Sequence, residues 1–252
     1  PDRIAVLDNF CWGNPANPET LGQLVAAARG CHDAALLHKT PFISGKDSLN
    51  NEYLGSDGLR HAIPPTLLIS ALGILSDVSH AVSMDLKSPG SRLYLVGQHV
   101  PHFGGSHFAL VGAPLTADLD RSVPNLPPEA PGVYHALHLA MTRHLVSACH
   151  DLSEGGLALA AAEMCIGGGL GLTMTLPAGN STGWLFGETN GCLLVEVSAA
   201  HASAFESLFT DLPICRLGQV TAEPILHIEQ AGRLVLTASI AHLTLAWKGA
   251  AL

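Results

Sequence analysis

Basic residues are few: 12 lysines and arginines stand against 21 aspartates and glutamates in 252 residues, and no run of them occurs. The formal net charge of −9 excludes the clustered positive surface that nucleic acid requires, so no nucleic-acid partner is expected. An anionic nucleotide still binds an acidic chain where a few donors and a magnesium ion converge. The six cysteines (Cys11, Cys31, Cys149, Cys165, Cys192, Cys215) include no Cys-x-x-Cys pair. That excludes the usual zinc spacing and a compact disulfide framework, and it predicts buried free thiols in a cytoplasmic protein. Every apolar stretch is interrupted before it reaches bilayer length, so no membrane partner is expected. There is no P-loop, no dinucleotide fingerprint and no Gly-x-Ser-x-Gly turn. A nucleotide site here has to be of another kind. Internal repeats and low-complexity tracts are missing too. No signal peptide is visible, because Pro1-Asp2-Arg3 leads directly into a short apolar strand. Pro1 is not an initiator methionine, so the chain is expected to be a piece of something longer.

What is present is apolar: 48% of residues are hydrophobic and 13% charged, enough to bury a sizeable core. Ile4 to Leu7 reads as a strand ending at Asp8-Asn9, followed by a turn at Trp12 to Pro15. A helix opens at Pro18-Glu19, with Leu21, Leu24, Val25, Ala28, Ala35 and Leu36 at helical spacing. Phe42-Ile43 starts a second strand that runs into a loop at Gly45, and Thr66 to Leu75 reads as a buried strand. The turn at Lys87-Ser88-Pro89-Gly90 marks a boundary, giving a partial α/β domain over 1–88 and an α+β domain over 89–252. The second part reads as a strand at Leu93 to Val96, a glycine turn at Gly104 to Ser106, and a proline-rich acidic loop over 117–131. Helices are expected over 133–145, 157–165 and 199–209, a strand over 191–197, and a hairpin over 225–237 turning at Ala231-Gly232.

Three segments concentrate polar chemistry. Ser44-Gly45-Lys46-Asp47-Ser48, running on to Tyr53, delivers a glycine for close anion approach, a lysine for phosphate oxygens, and Asp47 or Glu52 for a hard cation. The competing reading is a polar hairpin loop. His150-Asp151-Leu152-Ser153-Glu154-Gly155-Gly156 stands at the start of a helix, where backbone N–H groups favour anions. Either Ser153 or Asp151 caps that helix, or the cluster holds a metal and a phosphate together. Gly187-Glu188-Thr189-Asn190-Gly191 alone reads as a turn, and His99, His102 and His107 read as chance neighbours rather than metal ligands.

As a set these segments, with Asp8-Asn9-Phe10-Cys11-Trp12-Gly13-Asn14-Pro15 and Leu185 to Gly191, resemble the synthetase component of phosphoribosylformylglycinamidine synthase. The likeness runs over nearly the whole chain. The wider superfamily, with aminoimidazole ribonucleotide synthetase, selenophosphate synthetase and thiamine-phosphate kinase, uses ATP without a P-loop. The resemblance implies two tandem halves, each an α/β N-type domain followed by an α+β C-type domain. This chain then corresponds to the end of the second N-type domain plus the second C-type domain. It implies a C–N ligase that joins formylglycinamide ribonucleotide and glutamine-derived ammonia at the expense of ATP. The implied partners are the N-terminal half, a glutaminase and a small bridging subunit, with homodimerisation possible. Carried over by position, Asp8, Asn9, Gly45 and Ser153 contact nucleotide, Ser48 touches the ribonucleotide and Asp151 holds magnesium, while Lys46 is expected to bind nucleotide phosphate and Asp47 to take a metal. Lys46 stands where many small synthetases carry a metal-binding Asn, and an ammonium group cannot ligate magnesium. That departure points to an auxiliary ATP/ADP site in this half, with a dead pocket in a dimerising module as the alternative.

Overall fold

The computed structural model describes residues 3–112, 119 and 121–249. It divides into two compact units, Pro1–Val78 and Ser79–Leu252.

The first unit is built on strand β1 (Arg3–Cys11), helix α1 (Pro18–His38), β2 (Phe42–Ser48), the short hairpin β3 (Glu52–Leu54) and β4 (Arg60–Ala62), and β5 (Thr66–Ile74). β1 lies at the centre of a three-stranded sheet, parallel to β2 and antiparallel to β5. Asn17 starts α1 by accepting from the Glu19 N–H at 2.9 Å, Pro18 occupies the first turn, and Lys39 ends the helix in a left-handed conformation. Of the expected stripe of α1 only Leu24 and Ala35 are partly buried, with Thr20, Ala27, Cys31 and Ala34 beside them. Leu21, Val25 and Leu36 are 44%, 42% and 66% exposed. β5 was expected to be buried, yet Leu68, Leu72 and Ile74 stand 59%, 62% and 51% exposed. They share one face of the sheet, while the buried Val6 and Phe10 belong to the other. The expected loop at Gly45 is also replaced by strand: Gly45, Lys46, Asp47 and Ser48 pair in register with Asp8, Asn9, Phe10 and Cys11. Pairing with a central strand overrides their poor strand propensity.

The second unit continues with β6 (Arg92–Val96), α2 (His107–Leu110), α3 (Ala130–Thr142), β7 (Ala148–Asp151), α4 (Gly156–Gly168), β8 (Gly171–Leu176), α5 (Ser181–Phe186), β9 (Leu193–Val197) and α6 (Ala202–Ser207). It ends with β10 (Ile214–Thr221), β11 (Ile225–Gln230), β12 (Arg233–Ser239) and α7 (Ile240–Trp247). Seven strands form one mixed sheet in the order β12-β11-β8-β10-β6-β9-β7. β6 explains the layering, because Leu93 and Leu95 enter one core while Tyr94 and Val96 enter the other. Helix α4 supplies Leu157, Ala161 and Met164 to the first core; α3 and α6 supply Val133, Leu137 and Phe205 to the second. A strand covered on both faces reads as a continuous apolar run, as β6 does. The hairpin turns at Ala231-Gly232, both with positive φ (50° and 72°), a geometry whose twist matches its strands. All six cysteines are free thiols; Cys165 and Cys192 are buried and the other four half-buried. The expected loop over 117–131 lies partly outside the described residues.

Candidate functional site

The first unit brings two of the polar segments side by side. Trp12 N–H donates to the Ser48 carbonyl at 3.0 Å, Asn51 N–H to the Trp12 carbonyl at 2.9 Å, and Asn50 N–H to the Gly13 carbonyl at 3.1 Å. Glu52 accepts from the Asn14 N–H at 3.0 Å, so this carboxylate fixes the turn at Trp12 to Pro15. Strand pairing then sorts the candidate residues by face. Asp8 lies opposite Gly45, and a Cβ at Gly45 would sit 2.8 Å from the Asp8 Cγ, so only glycine leaves the carboxylate its place. Asp47 pairs with Phe10 on that same face. The Asp8 carboxylate is also close enough to Cys31 on α1 to add to the upward push that burial gives that thiol. Asn9, Lys46 and Ser48 lie on the opposite face. There Lys46 Nζ donates to Ser48 Oγ at 2.7 Å. The six residues expected to act together in this unit therefore form two sets of three, back to back.

In the second unit β7 ends at Asp151 and α4 begins after a turn. The expected side-chain cap is not realised: the cap residue is Gly155, left-handed at φ 82°, and no side chain caps it. Ser153 instead donates its hydroxyl to Asp151 Oδ2. His150 Nδ1 lies 3.3 Å from Asp151 Oδ1, and its Nε2 lies 2.7 Å from Glu163 Oε2 on α4. The Ser153 hydroxyl, helped by His150, holds the Asp151 carboxyl below its ordinary range. Both oxygens of Asp151 are thus already engaged.

Glu188 organises this site. Its Oε1 accepts from Gly155 N–H at 2.8 Å and from His107 N–H at 2.9 Å, and it lies 3.8 Å from His107 Nδ1. One carboxylate therefore ties the turn before α4 to the start of α2. Thr189, buried beside it, accepts from Val100 N–H at 3.2 Å and donates to the Val100 carbonyl. An open cleft of about 310 Å³ results, lined by Gly105, His107, Ser153, Glu154, Glu188 and Asn190 among others. Its lining holds two carboxylates and no lysine or arginine. Glu188 and His107 were not among the expected site residues. Glu188 lay in the polar Gly187 to Gly191 segment read as a turn, His107 was set aside with the other two histidines, and the contacts that matter span 33 and 81 positions.

The three histidines considered as ligands separate. His99 stacks on Trp184 with ring centroids 4.6 Å apart, and burial pushes it down to about 4. His102 Nδ1 pairs with Ser122 Oγ at 2.8 Å, while His107 faces Glu188. Among the described residues no group of three or more His, Cys, Asp or Glu is arranged to hold a metal ion. A magnesium ion here would therefore draw few protein ligands, with the Asp151 carboxylate the first candidate among them.

A mixed seven-stranded sheet with helices packed on both faces defines an α+β domain with a core on each side of the sheet. The family described as AIR synthase related protein, C-terminal domain, matches residues 88–229. The chain belongs to that family, and within it the chain is PurL-like. The PurL subunit of phosphoribosylformylglycinamidine synthase from Gloeobacter violaceus is 36% identical over 211 residues, covering 81% of this chain and 26% of that protein. The PurL subunit from Lactobacillus helveticus is 34% identical over 251 residues, covering 97% of this chain and 32% of that protein. The chain therefore spans about a quarter to a third of these relatives. Thermotoga maritima PurL complexed with FGAR shares the fold, with a TM-score of 0.72 at 18% identity, over 95% of this chain and 39% of that one. A chain of a HypE-HypF complex also shares it, with a TM-score of 0.68 at 16% identity, over 94% of this chain and 78% of that one.

Proposed function

We propose that this chain is the C-terminal part of the synthetase component of phosphoribosylformylglycinamidine synthase, an ATP-dependent C–N ligase of purine biosynthesis. In this reading the whole protein converts formylglycinamide ribonucleotide, glutamine-derived ammonia and ATP to the amidine, ADP and phosphate. Its partners are the N-terminal half of the synthetase, a glutaminase and a small bridging subunit, and it works in the cytoplasm. The observation that carries the reading is the likeness to a PurL subunit along almost the full length of this chain. The part in hand contributes an auxiliary ATP/ADP site rather than the reacting centre. Asp151, preset by Ser153 and His150, holds the charge of a magnesium–nucleotide complex, and the ordered turn Ser153 to Gly155 meets the phosphates. Magnesium, when bound, neutralises phosphate charge. In the first unit one set, Asp8, Gly45 and Asp47, or the other, Asn9, Lys46 and Ser48, meets ligand. If the second set meets it, Lys46 binds phosphate and Ser48 the ribonucleotide; if the first does, Asp47 holds a cation.

Calorimetric titration of the chain with Mg-ADP, beside Asp151→Ala, tests the site: saturable binding lost in the variant supports it. With ATP, ammonium and formylglycinamide ribonucleotide the chain alone releases no ADP, and steady turnover would refute its being a part. A second reading, a dimerising module with a dead pocket, is favoured by the prior engagement of both Asp151 oxygens. Unchanged heats on adding Mg-ADP would decide for it.

A further inference from the structure

Beside the acidic cleft lies a second one of about 410 Å³, and the two share Thr189 and Asn190 in their walls. Its chemistry is different. Val100, Pro124, Leu126, Pro127 and Pro128 give it an apolar wall, and Val100 and Leu126 present 39% and 43% of their surface. Three carboxamides, Gln98, Asn125 and Asn190, line it together with the Glu129 carboxylate. Neither lysine nor arginine lines it. Such a cavity, with His102 as its one imidazole, suits a flat neutral ring whose edge carries donors and acceptors. A carboxamide offers one acceptor and two donors side by side, the complement of a heterocycle's edge. Proline walls are fixed in φ before any ligand arrives, so little ordering is needed on binding. The shared wall is rigid as well, because the buried Thr189 hydroxyl bonds to both the N–H and the carbonyl of Val100. The volume lies in the range of small-molecule sites.

From this juxtaposition we infer that the proline-walled cleft seats the nucleobase of a nucleoside di- or triphosphate, whose phosphates cross the Thr189-Asn190 wall into the acidic cleft. The inference rests on the nucleotide reading of the Asp151 site and adds to it where the base goes. The amides read the edge of the ring, and Glu129 accepts from an exocyclic amino group. A ligand lacking the base uses the acidic cleft alone.

The test is a comparison of Mg-ADP with Mg-pyrophosphate, titrated calorimetrically into the 252-residue chain and its Leu126→Trp, Gln98→Ala and Asp151→Ala variants. The parent is expected to prefer Mg-ADP by about tenfold or more, the contribution of a base packed against the apolar wall and held by the amides. Leu126→Trp fills the cleft and brings that preference close to one while pyrophosphate affinity stays within about twofold. Gln98→Ala, at an exposed position, weakens Mg-ADP in the same direction and serves if the tryptophan variant misfolds. Asp151→Ala lowers affinity for both ligands. An unchanged preference in Leu126→Trp or, where that variant misfolds, in Gln98→Ala places the base elsewhere and leaves the nucleotide reading standing. No binding of either ligand by the parent overturns both.

Discussion

Glu196 is fully buried on β9, and its carboxylate has a task that can be measured. Its Oε2 accepts from Lys87 N–H at 2.8 Å and its Oε1 from Ser88 N–H at 3.0 Å. These bonds lock the segment entering β6 against the strand that follows the Glu188 to Cys192 turn, so they tie the sheet to the candidate site. In Glu196→Gln the amide oxygen keeps one N–H, but the new NH2 faces the other donor. One charge-assisted bond is lost and one buried N–H is left unmet, a loss of about 2–4 kcal/mol. Glu196→Ala orphans both N–H groups and opens a cavity, so about 4–5 kcal/mol is expected. For a unit of this size each kcal/mol moves Tm by roughly 2–4 °C, which puts Glu196→Gln about 4–16 °C below the parent. Thermal unfolding followed by far-UV circular dichroism reads the shift, and a urea titration with unchanged slope assigns it to the folded state. A Gln variant within about 0.5 kcal/mol of the parent would refute the reasoning, because the size of the effect follows from the charge and the two donors alone.

Three further outcomes follow from the same geometry. Gly45→Ala drives a Cβ into the Asp8 carboxylate and is expected to destabilise the first unit by about 1–3 kcal/mol in a urea titration, with Asp8→Ala partly relieving it. The open face of Leu68, Leu72 and Ile74 predicts association that grows with concentration; Leu72→Lys should shift sedimentation towards monomer, and a parent that stays monomeric at high concentration contradicts it. His99 titrates near 4 in the folded chain, against 6.5 ordinarily, so the unfolded chain takes up its proton first as pH falls. The stability conferred by the neutral ring is complete above pH 6.5 and is lost between 6.5 and 4, up to about 3 kcal/mol, and His99→Phe should flatten that slope in acid unfolding curves.

Much of the fold was legible because local signals agreed with tertiary packing. Pro18-Glu19 marked the start of α1, Ala231-Gly232 marked the hairpin, and the apolar run of Leu93 to Val96 announced the strand β6. The failures came where distant pairing decides. Gly45 to Ser48 has the composition of a loop, yet β1 draws it into the sheet through backbone bonds that no side-chain preference encodes. The apolar run of β5 signals burial by composition alone, while its exposure depends on what faces it. The candidate site was half legible. Asp151 and Ser153 stand within one short segment, but the Glu188 carboxylate reaches its two N–H partners only after the chain has folded.

The sheet also limits what the residue-by-residue carry-over can mean. On the central strand β1, Asp8 and Asn9 are neighbours in sequence and point to opposite faces. A single nucleotide contacts one of them through its side chain and not the other, since the strand is bordered on both sides by β2 and β5. Lys46 and Asp47 lie on the edge strand β2, where the barrier between faces is weaker, so the test belongs on β1. Asp8→Ala and Asn9→Ala should therefore differ: one weakens Mg-ADP by about tenfold and the other leaves it within about twofold. Loss in Asp8→Ala assigns the ligand to the face that carries Asp47 and α1; loss in Asn9→Ala assigns it to the face of Lys46 and Ser48. Equal losses in both variants, with Tm unchanged, would mean that the two residues meet ligand from one side, which the register of β1 forbids.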